Sequence, residues 1–351
     1  MLYKTENPHG GDVYGAAVTL DFSSNVNPLG PPERVISAIR DAAHLVRQYP
    51  DPYCRRLTAA IAAYEKLPEA YILCGNGAAE LIYAYCEALR PKKAMELAPT
   101  FLEYSAAACH FGAKIVRVPL ASPDFLPDER LPDALRTEKP DVLFLCSPNN
   151  PTGRTLGRAL LEQVLALSAA QGTRVFLDEC FLDFTDEKSA KDLLSRYGNL
   201  LILKAFTKNY ALAGVRAGYG LSADRRLLSE MAACTQPWNV SIFAQAAGEA
   251  ALKEPDWVQK AKAVIAPERA RLTRELQSFG FTVCASEANY LLFSAPAGLD
   301  RALLREKIAV RSCENYPGLG PGWYRIAVRL AEENEALLVA LRRVMEDTTW
   351  R

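Results

Sequence analysis

The sequence lacks an excess of charge of either sign, a long apolar run and an apolar leader. Its 41 Lys and Arg residues equal its 41 Asp and Glu residues, so the charge balance gives no reason to expect nucleic acid or an anionic membrane surface as a partner. No stretch approaches the ~18 apolar residues that a membrane-spanning helix needs. Met1–Gly10 is polar and has no apolar core of the kind found in signal peptides. We therefore expect neither a membrane protein nor a nucleic-acid-binding protein.

Cysteine motifs and histidine clusters are also lacking. The nine cysteines occur singly, without a Cys-x-x-Cys pair, and the three histidines are dispersed, so we expect neither a metal site nor a thioredoxin-type centre. Because the number of cysteines is odd and several lie in apolar runs, we expect reduced, mostly buried thiols and a cytoplasmic location. A chain of 351 residues, 50% hydrophobic and 23% charged, is large enough for one large and one small lobe.

What the sequence does contain is an alternation of apolar strands with helices. A strand begins at Tyr71, and further strands are predicted at Lys93–Leu97, Lys114–Val118, Val142–Cys146, Arg174–Asp178 and Leu200–Leu203. Helices are predicted between some of these strands, at Thr100–Phe111 and Arg158–Gln171. This alternation predicts an α/β fold whose mainly parallel sheet is covered by helices on both faces.

The last part of the chain predicts a second, smaller domain. Two strand candidates, at 289–293 and 323–328, are flanked by helices at about 299–308 and 332–346, which is an α+β pattern. We expect three parts in all. They are an N-terminal segment that lies over the active site and packs with the small domain, a large domain, and the small domain, at residues 1–32, 33–252 and 253–351.

Polar residues follow the predicted strands at their carboxyl ends, where open parallel sheets bind ligands. Gly75-Asn76-Gly77 joins a strand to a helix, and such a turn lets a phosphate approach the helix N-terminus, although glycine is also a common turn residue. Asp178 ends a buried strand and needs a partner. That partner is either a protonated ring nitrogen of a cofactor or a structural group within the protein.

Lys208 follows the strand at Leu200–Leu203 and has apolar and aromatic neighbours. Partial burial would lower the pKa of its amine and leave the nucleophile that Schiff-base chemistry needs; the alternative is a lysine that reaches out to water. Arg216 could bind a phosphate and Arg325 a carboxylate, because a guanidinium pairs with both in bidentate fashion. The alternative for each arginine is a solvated surface position.

Asn150 and Tyr104 also have two interpretations each. Asn150 lies in the turn-forming run Asn-Asn-Pro-Thr-Gly, where its side-chain amide could bond a ring oxygen or could simply stabilise the turn. Tyr104 could stack on an aromatic ligand or could belong to the core. Neither residue alone decides between a ligand-binding role and a structural one.

Six motifs occur in a defined order along the chain. They are Gly-Asn-Gly, an aromatic residue after Pro-Thr-Phe, Asn-Asn-Pro-Thr-Gly, a strand-terminal Asp, a Lys with Arg eight residues later, and a late Tyr-Arg-Ile-Ala-Val-Arg. In this combination the chain resembles the fold-type I pyridoxal-phosphate enzymes, most closely the histidinol-phosphate aminotransferase branch of the class I and II aminotransferases. The resemblance covers nearly the whole chain. It implies an aspartate aminotransferase-like fold, pyridoxal 5'-phosphate as the cofactor, and a homodimer.

The resemblance also implies roles for individual residues. Lys208 would carry the cofactor as a Schiff base, Asp178 would pair with the pyridine nitrogen, and Tyr104 would stack on the ring; these three form the expected catalytic set. Further cofactor contacts would come from Asn76, Gly77, Ala78, Asn150, Thr207, Arg216 and the partner subunit's Tyr53. The substrate would contact Asn150 and, through its carboxylate, Arg325.

Two positions depart from the pattern of the family. Phe181 stands where a tyrosine is common, so one hydrogen bond to the ring oxygen is missing. Ala205 stands where a hydroxyl residue is common, which leaves a gap in the phosphate cup, although Thr207 supplies a hydroxyl close by.

Phe181 also points to a narrower group within the family. Segments at residues 9–11, 21–30, 237–240, 288–292 and 311–319 resemble the threonine-phosphate decarboxylases of cobalamin biosynthesis, in which phenylalanine is characteristic at this position. The resemblance implies decarboxylation of L-threonine O-3-phosphate to (R)-1-aminopropan-2-ol O-2-phosphate. His9, Asn27 and Arg311 would then lie near the substrate, with His9 and Arg311 facing its phosphate.

Three alternatives stay open at this point. An aminotransferase that uses a phosphorylated or aromatic amino donor with 2-oxoglutarate would need nearly the same residues, because positioning decides which bond at the α-carbon breaks. A decarboxylase of O-phosphoserine differs by one methyl group, which is worth only about 1–3 kcal/mol of discrimination. The non-enzymatic alternative is a regulatory or binding protein that keeps the fold.

Overall fold

The central element of the fold is a seven-stranded sheet. A computed structural model of the chain describes residues 9–347; residues 1–8 and 348–351, which belong to the first and last predicted segments, lie outside the described residues. After a short first strand, β1 (Leu20–Asp21), the strands of this sheet are β2 (Ile72–Gly75), β3 (Lys93–Ala98), β4 (Lys114–Pro119), β5 (Val142–Cys146), β6 (Arg174–Asp178), β7 (Leu200–Ala205) and β8 (Gly218–Leu221). Their spatial order is β2-β8-β7-β6-β5-β3-β4.

The sheet is mixed but mostly parallel, as the α/β prediction requires. Strands β3 to β7 pair in parallel, whereas β8 runs antiparallel to both β2 and β7. Every residue of β5 and β7 is buried, which explains why these strands, apart from Lys204, are apolar on both faces rather than alternating. The sequence did not predict β8, because two of its four residues are glycine, a poor strand former.

Helices cover both faces of the sheet. They are α1 (Glu33–Ala42), α2 (Arg55–Glu65), α3 (Gly77–Leu89), α4 (Glu103–His110), α5 (Arg130–Glu138), α6 (Arg158–Gln171), α7 (Phe206–Asn209), α8 (Arg225–Ala233), α9 (Ile242–Ala251), α10 (Trp257–Ser278), α11 (Leu299–Arg305) and α12 (Ala331–Glu346). Helix α10 continues through Pro267. Within residues 9–347, no helix combines the length and the apolar character that crossing a membrane would require.

A smaller antiparallel sheet follows the long helix α10. Its strands are β9 (Thr282–Val283), β10 (Tyr290–Ser294), β12 (Arg311–Ser312) and β13 (Trp323–Ala327), in the order β12-β13-β10-β9, while β11 (Ile308–Ala309) pairs in parallel with β1. The N-terminal segment is thereby joined to the last quarter of the chain. The predicted boundaries at residues 32 and 252 stay a prediction.

The N-terminal segment also bridges the two sheets. The carbonyl oxygen of Ser23 accepts a hydrogen bond from Arg325 of β13 at 2.7 Å, and the backbone N–H of Asn27 donates to the carbonyl oxygen of Lys208 at 2.9 Å. Asn289, just before β10, donates from Nδ2 to the carbonyl oxygen of Val26 at 3.2 Å. We call residues 20–30 the bridging segment, because it is bonded to Lys208, beyond β7 of the large sheet, and to Arg325 and Asn289, in and just before strands of the smaller sheet.

The carboxyl ends of β5, β6 and β7 meet at one edge of the large sheet. Cys146 is the register partner of Asp178, and Asp178 is the register partner of Leu203. Residues just beyond these strand ends therefore converge, which is where a doubly wound sheet binds its ligand.

Candidate active site

One cavity of about 150 Å³ lies at the carboxyl ends of β5, β6 and β7. Its walls include the last residue of each strand, namely Cys146, Asp178 and Ala205. The cavity also brings together most of the predicted cofactor residues, which are Ala78, Tyr104, Asn150, Asp178, Thr207, Lys208 and Arg216. These residues come from segments far apart in sequence, so their convergence is a property of the fold.

Lys208 is held in the single helical turn α7, directly after β7. Its side chain is half-buried, and its Nζ lies 5.3 Å from the centre of the Phe181 ring. Burial, followed by the nearby positive charge of Arg325, lowers the pKa of Lys208 to about 8, against opposing contributions from Cys180 and Asp178. The structure thus supplies a lysine whose amine is far easier to deprotonate than an ordinary one.

Asp178 is buried at the end of β6 and accepts two hydrogen bonds. The hydroxyl of Tyr104 donates to its Oδ2 at 2.6 Å, and the backbone N–H of Cys180 donates to its Oδ1 at 2.8 Å. Burial raises the pKa of Asp178 despite the hydrogen bond from Tyr104. A carboxylate in this state gains most from a cationic partner, since a nearby positive charge would offset the cost of its burial.

Tyr104 lines the cavity and also belongs to the aromatic core. Its ring is fully buried and lies parallel to that of Phe144, with ring centres 5.4 Å apart. The Phe101 ring packs edge-on against it at 5.5 Å. Both sequence interpretations of Tyr104, core residue and ligand-facing residue, therefore describe part of its surroundings.

Donor groups that suit an anion lie where α3 begins. Gly77 is the first residue of α3 and has a φ of +79°, and a Cβ at this position would lie 2.8 Å from Nη2 of Arg216. The guanidinium therefore occupies the space that a side chain would fill. Helix-terminal amides beside a guanidinium form a favourable environment for a phosphate. The backbone N–H of Asn76 donates to Glu80 Oε2 at 2.6 Å, so this amide is already engaged.

Two arginines of the smaller sheet lie side by side near the cavity. Arg311 of β12 is the register partner of Arg325 of β13, and both side chains are buried. Arg325 donates from Nη1 to Asn150 Oδ1 at 2.5 Å, and its Nε has no partner among residues 9–347. Arg311 donates from Nη2 to Asn315 Oδ1 at 2.7 Å and from Nη1 to the carbonyl oxygen of Ser312. Two adjacent buried cations favour ligands that carry negative charge.

His9, Asn27 and Tyr53 do not line the cavity. His9 is bonded through Nε2 to Glu103 Oε1 at 2.5 Å, and its ring lies 5.6 Å from that of the wall residue Phe101, so it is at the rim. The amide of Asn27 is used internally, as Nδ2 donates to the carbonyl oxygen of Asn209 at 2.7 Å. Tyr53 is 71% exposed and lines a separate cavity.

Several wall residues were not singled out from the sequence. They are Ala79, Phe101, Cys146 and Cys180. Two of them could have been predicted to line the cavity from their positions at strand ends. Cys146 ends one predicted strand, and Cys180 lies two residues beyond the end of the next. Ala205 is also part of the wall, at the position where a hydroxyl residue is common in the family.

A cluster of buried and partly buried ionised side chains surrounds Lys204 of β7. Nζ of Lys204 in β7 is 3.7 Å from Glu65 Oε1, 3.7 Å from Glu179 Oε2 and 3.6 Å from Asp183 Oδ1. Asp183 in turn accepts a hydrogen bond at Oδ2 from Nδ2 of Asn209, the neighbour of Lys208, at 2.5 Å. The cluster therefore links β7 to α7 through side chains as well as through the backbone.

The cavity residues fit pyridoxal 5'-phosphate. The amine of Lys208 can bond covalently to an aldehyde carbon, the buried carboxylate of Asp178 suits a protonated ring nitrogen, and the start of α3 with Arg216 suits a phosphate. Because Gly77 has no Cβ, the Arg216 guanidinium lies directly against the backbone at the start of α3, so both kinds of phosphate donor are side by side. The fold and this site define a pyridoxal-phosphate-dependent enzyme.

Comparisons with known proteins identify the family. Residues 17–341 match the family model described as "Aminotransferase class I and II", and the chain belongs to that family. It is 37% identical to a threonine-phosphate decarboxylase of Salmonella typhimurium over 96% of each chain. It is 35% identical to a chloroplastic histidinol-phosphate aminotransferase of Nicotiana tabacum, over 92% of this chain and 78% of that protein.

A solved structure agrees with this placement. The histidinol-phosphate aminotransferase of Sinorhizobium meliloti, solved in complex with pyridoxal-5'-phosphate, superposes with a TM-score of 0.83 at 25% identity, covering 94% of this chain and 91% of that one. The predicted α/β fold, family and cofactor are thereby confirmed. A decarboxylase and an aminotransferase both stand among the relatives, so the comparisons define the enzyme as one of these two types.

Proposed function

We propose that the protein decarboxylates L-threonine O-3-phosphate to (R)-1-aminopropan-2-ol O-2-phosphate and CO2. The observation that carries this proposal is the pair of buried arginines, Arg311 and Arg325, opposite each other on β12 and β13. A substrate with both a carboxylate and a phosphate would offset both positive charges. The similarity to the Salmonella decarboxylase over 96% of each chain supports the choice of reaction.

In this proposal the cavity residues divide between cofactor and substrate. Lys208, Asp178 and Tyr104 hold the reactive part of the cofactor, and Asn150 contacts its ring oxygen. The cofactor phosphate binds Gly77, Ala78 and Arg216, with Asn76 and Thr207 beside them. Arg325 binds the substrate carboxylate close to Asn150, while Arg311 and the rim residue His9 face the substrate phosphate.

Pyridoxal phosphate, when bound, supplies an electron sink for a bond that breaks at the substrate α-carbon. Arg325 decides which bond that is by holding the carboxylate in one orientation. With its pKa of about 8, Lys208 is about one quarter neutral at pH 7.5, whereas a lysine of pKa 10.5 is only about 0.1% neutral. Its Nζ is therefore able both to act as a nucleophile and, once protonated, to deliver a proton to the α-carbon after CO2 has left.

Asp178 and Tyr104 support the same chemistry. The hydroxyl of Tyr104 fixes Asp178 Oδ2 at 2.6 Å, so the carboxylate is oriented before a ligand enters. A preoriented buried carboxylate stabilises positive charge more strongly than a solvated one. The bridging segment is held against the turn that carries Lys208, since its Asn27 N–H is bonded to the Lys208 carbonyl oxygen.

We also propose that the active form is a homodimer. Tyr49 stacks on Trp238 with ring centres 4.6 Å apart, and Tyr53 is exposed on the same loop as Tyr49. Exposed aromatic residues grouped in this way are typical of protein interfaces. Across such an interface the partner subunit's Tyr53 would reach the cofactor phosphate. A monomer with full activity in sizing chromatography would contradict this.

The second candidate is an aminotransferase, which the similarity to the tobacco histidinol-phosphate aminotransferase favours. Its residue requirements at the cavity are nearly the same. The difference would lie in which bond of the α-carbon stands perpendicular to the cofactor ring, and this depends on how Arg311 and Arg325 hold the substrate.

One assay separates these candidates. Purified protein with pyridoxal phosphate is given O-phospho-L-threonine, and CO2 release is followed with and without 2-oxoglutarate. The proposal requires CO2 without the keto acid, and activity on O-phospho-L-serine is then compared. Glutamate formed from 2-oxoglutarate without CO2 would make the protein an aminotransferase. Lys208→Ala serves as the control, because CO2 released at the full rate by this variant would mean that the lysine takes no part.

A further inference from the structure

The turn that carries Lys208 is very short. Helix α7 has four residues, Phe206–Asn209, and its N-cap residue makes no side-chain hydrogen bond. The backbone bond that closes the turn, from the Tyr210 N–H to the Phe206 carbonyl oxygen, is 3.2 Å long. Because isolated helices shorter than about 12 residues are marginal in water, the position of Lys208 depends on the groups that hold α7 from outside.

Asn209, the last residue of α7, is held through both its side chain and its backbone. Its Nδ2 donates to Asp183 Oδ2 at 2.5 Å, and its carbonyl oxygen accepts from Asn27 Nδ2 at 2.7 Å. Asp183 is itself anchored to β7, since its Oδ1 lies 3.6 Å from Nζ of Lys204. Asn209 is therefore fixed by the bridging segment and by the cluster around Lys204.

Asn209 and its neighbour Lys208 have different surroundings. Thr207 and Lys208 line the active-site cavity, whereas Asn209 is buried and is not part of the cavity wall. Successive residues of a helical turn point about 100° apart, so one turn can direct a reactive side chain into the cavity and an anchoring side chain elsewhere. Asn209 Oδ1 has no partner among residues 9–347, so the bond from Nδ2 to Asp183 is what fixes this side chain.

We propose that Asn209 is a positioning residue for Lys208, and that its hydrogen bond to Asp183 holds the lysine amine where it bonds to the aldehyde carbon of pyridoxal phosphate. This inference rests on the proposed role of Lys208. In that step Nζ of the neutral amine attacks the aldehyde carbon, a C=N bond forms, and the aldehyde oxygen leaves as water with the two amine hydrogens. Misplacing a reacting group by about 1 Å costs up to about a hundredfold in rate, so losing this hydrogen bond should slow the step.

The test compares variants that remove the hydrogen bond with one that keeps it. Asn209→Leu removes the donor, and Asp183→Ala removes the acceptor. Asp183→Asn removes the negative charge beside Lys204 but keeps the bond, because two facing amide groups can pair in either orientation. Asp183→Asn therefore weakens the ion cluster without releasing α7, which separates a role in stability from a role in positioning.

The readout is bond formation between the cofactor-free protein and pyridoxal phosphate, followed by absorbance after rapid mixing. The rate at saturating cofactor reports the bond-forming step, and the affinity for pyridoxine 5'-phosphate, which has no aldehyde, reports the pocket. Asn209→Leu and Asp183→Ala should lower the saturating rate about tenfold with unchanged pyridoxine 5'-phosphate affinity, while Asp183→Asn should keep the wild-type rate. The variant that combines Asp183→Ala with Asn209→Leu should be no slower than either single variant, since both act through one bond.

Several results would overturn the positioning role. One is a wild-type rate in Asn209→Leu, and another is equal slowing in Asp183→Asn and Asp183→Ala, which would assign the effect to charge. A loss of pyridoxine 5'-phosphate affinity as large as the loss of rate would mean general damage to the pocket. If Asn209→Leu does not fold, the two Asp183 variants decide the question.

Lys208→Ala separates this proposal from the role of Lys208 itself. The same absorbance change at the wild-type rate in Lys208→Ala would overturn both. If Lys208→Ala forms no bond and Asn209→Leu forms it at the wild-type rate, only the positioning role of Asn209 is overturned.

Discussion

Replacing Lys208 by methionine should stabilise the cofactor-free protein at neutral pH. The side chains have similar length, but methionine carries no charge into the half-buried position beside Arg325. Burial and the charge of Arg325 lower the pKa of Lys208 from 10.5 to about 8. A folded protein that binds a proton more weakly than its unfolded chain is destabilised wherever that proton is bound.

The size of the effect follows from the two pKa values. The difference between 10.5 and about 8 corresponds to about 3 kcal/mol, which is the full penalty below pH 8. Between pH 8 and 10.5 the unfolded chain keeps a proton that the folded protein has released, so stability rises with pH in this window. From about pH 6.5 to about pH 9.5, the free energy of unfolding of the wild type should therefore rise by about 2 kcal/mol relative to Lys208→Met.

The assay is urea unfolding of both cofactor-free proteins at the two pH values. Other titrating groups change the stability of both proteins alike, so the difference between wild type and variant isolates Lys208. A difference that stays constant within about 0.5 kcal/mol, or that shifts in favour of the variant as the pH rises, would refute the reasoning. Such a result would mean that the amine is hydrated in the folded protein and has an ordinary pKa.

Three further substitutions test the site and its support. Gly77→Ala forces a non-glycine residue to a φ of +79° and brings a methyl group to 2.8 Å from a guanidinium nitrogen, so cofactor affinity in an equilibrium titration should fall at least about tenfold; Gly157→Ala, which meets open space, should leave it unchanged. Tyr104→Phe removes the 2.6 Å hydrogen bond to buried Asp178 and should lower the free energy of unfolding by about 1–3 kcal/mol, whereas no loss would show that the bond is replaced. Lys204→Met removes the cation that three carboxylates share, of which Glu65 keeps Lys191 at 2.7 Å, and should cost about 3–5 kcal/mol in urea unfolding; a loss below about 1 kcal/mol would mean that the cluster does not depend on Lys204.

The parts of the site that the sequence could predict are those that follow apolar strands. The runs that became β5, β6 and β7 are continuous and buried on both faces, so their positions and their carboxyl ends could be read directly. Asp178 and Lys208 were placed at one edge of a sheet for that reason. The resemblance to a family then supplied the roles, which no pattern of spacing could have given.

The parts that could not be predicted depend on contacts between distant segments. The pairing of Arg311 with Arg325 depends on the register of two antiparallel strands, and a shift of one residue would place them on opposite faces. The hydrogen bond from Tyr104 to Asp178 spans 74 residues. The ion cluster around Lys204 could not be predicted from the sequence for a different reason. A lysine in an apolar strand gives no indication of which carboxylates will surround it.

The bridging segment has a consequence for the order of events during synthesis. Ser23 and its partner Arg325 are 302 residues apart, and at about 5–20 residues per second a ribosome needs about 15–60 s to make the chain between them. During that interval the strand β1 has left the ribosome without β11, its parallel partner. The nascent chain can complete β7 and present Lys208, but it has no Arg311 or Arg325. The two arginines that we propose to bind the substrate are therefore added to the pocket only after the residues that we propose to hold the cofactor.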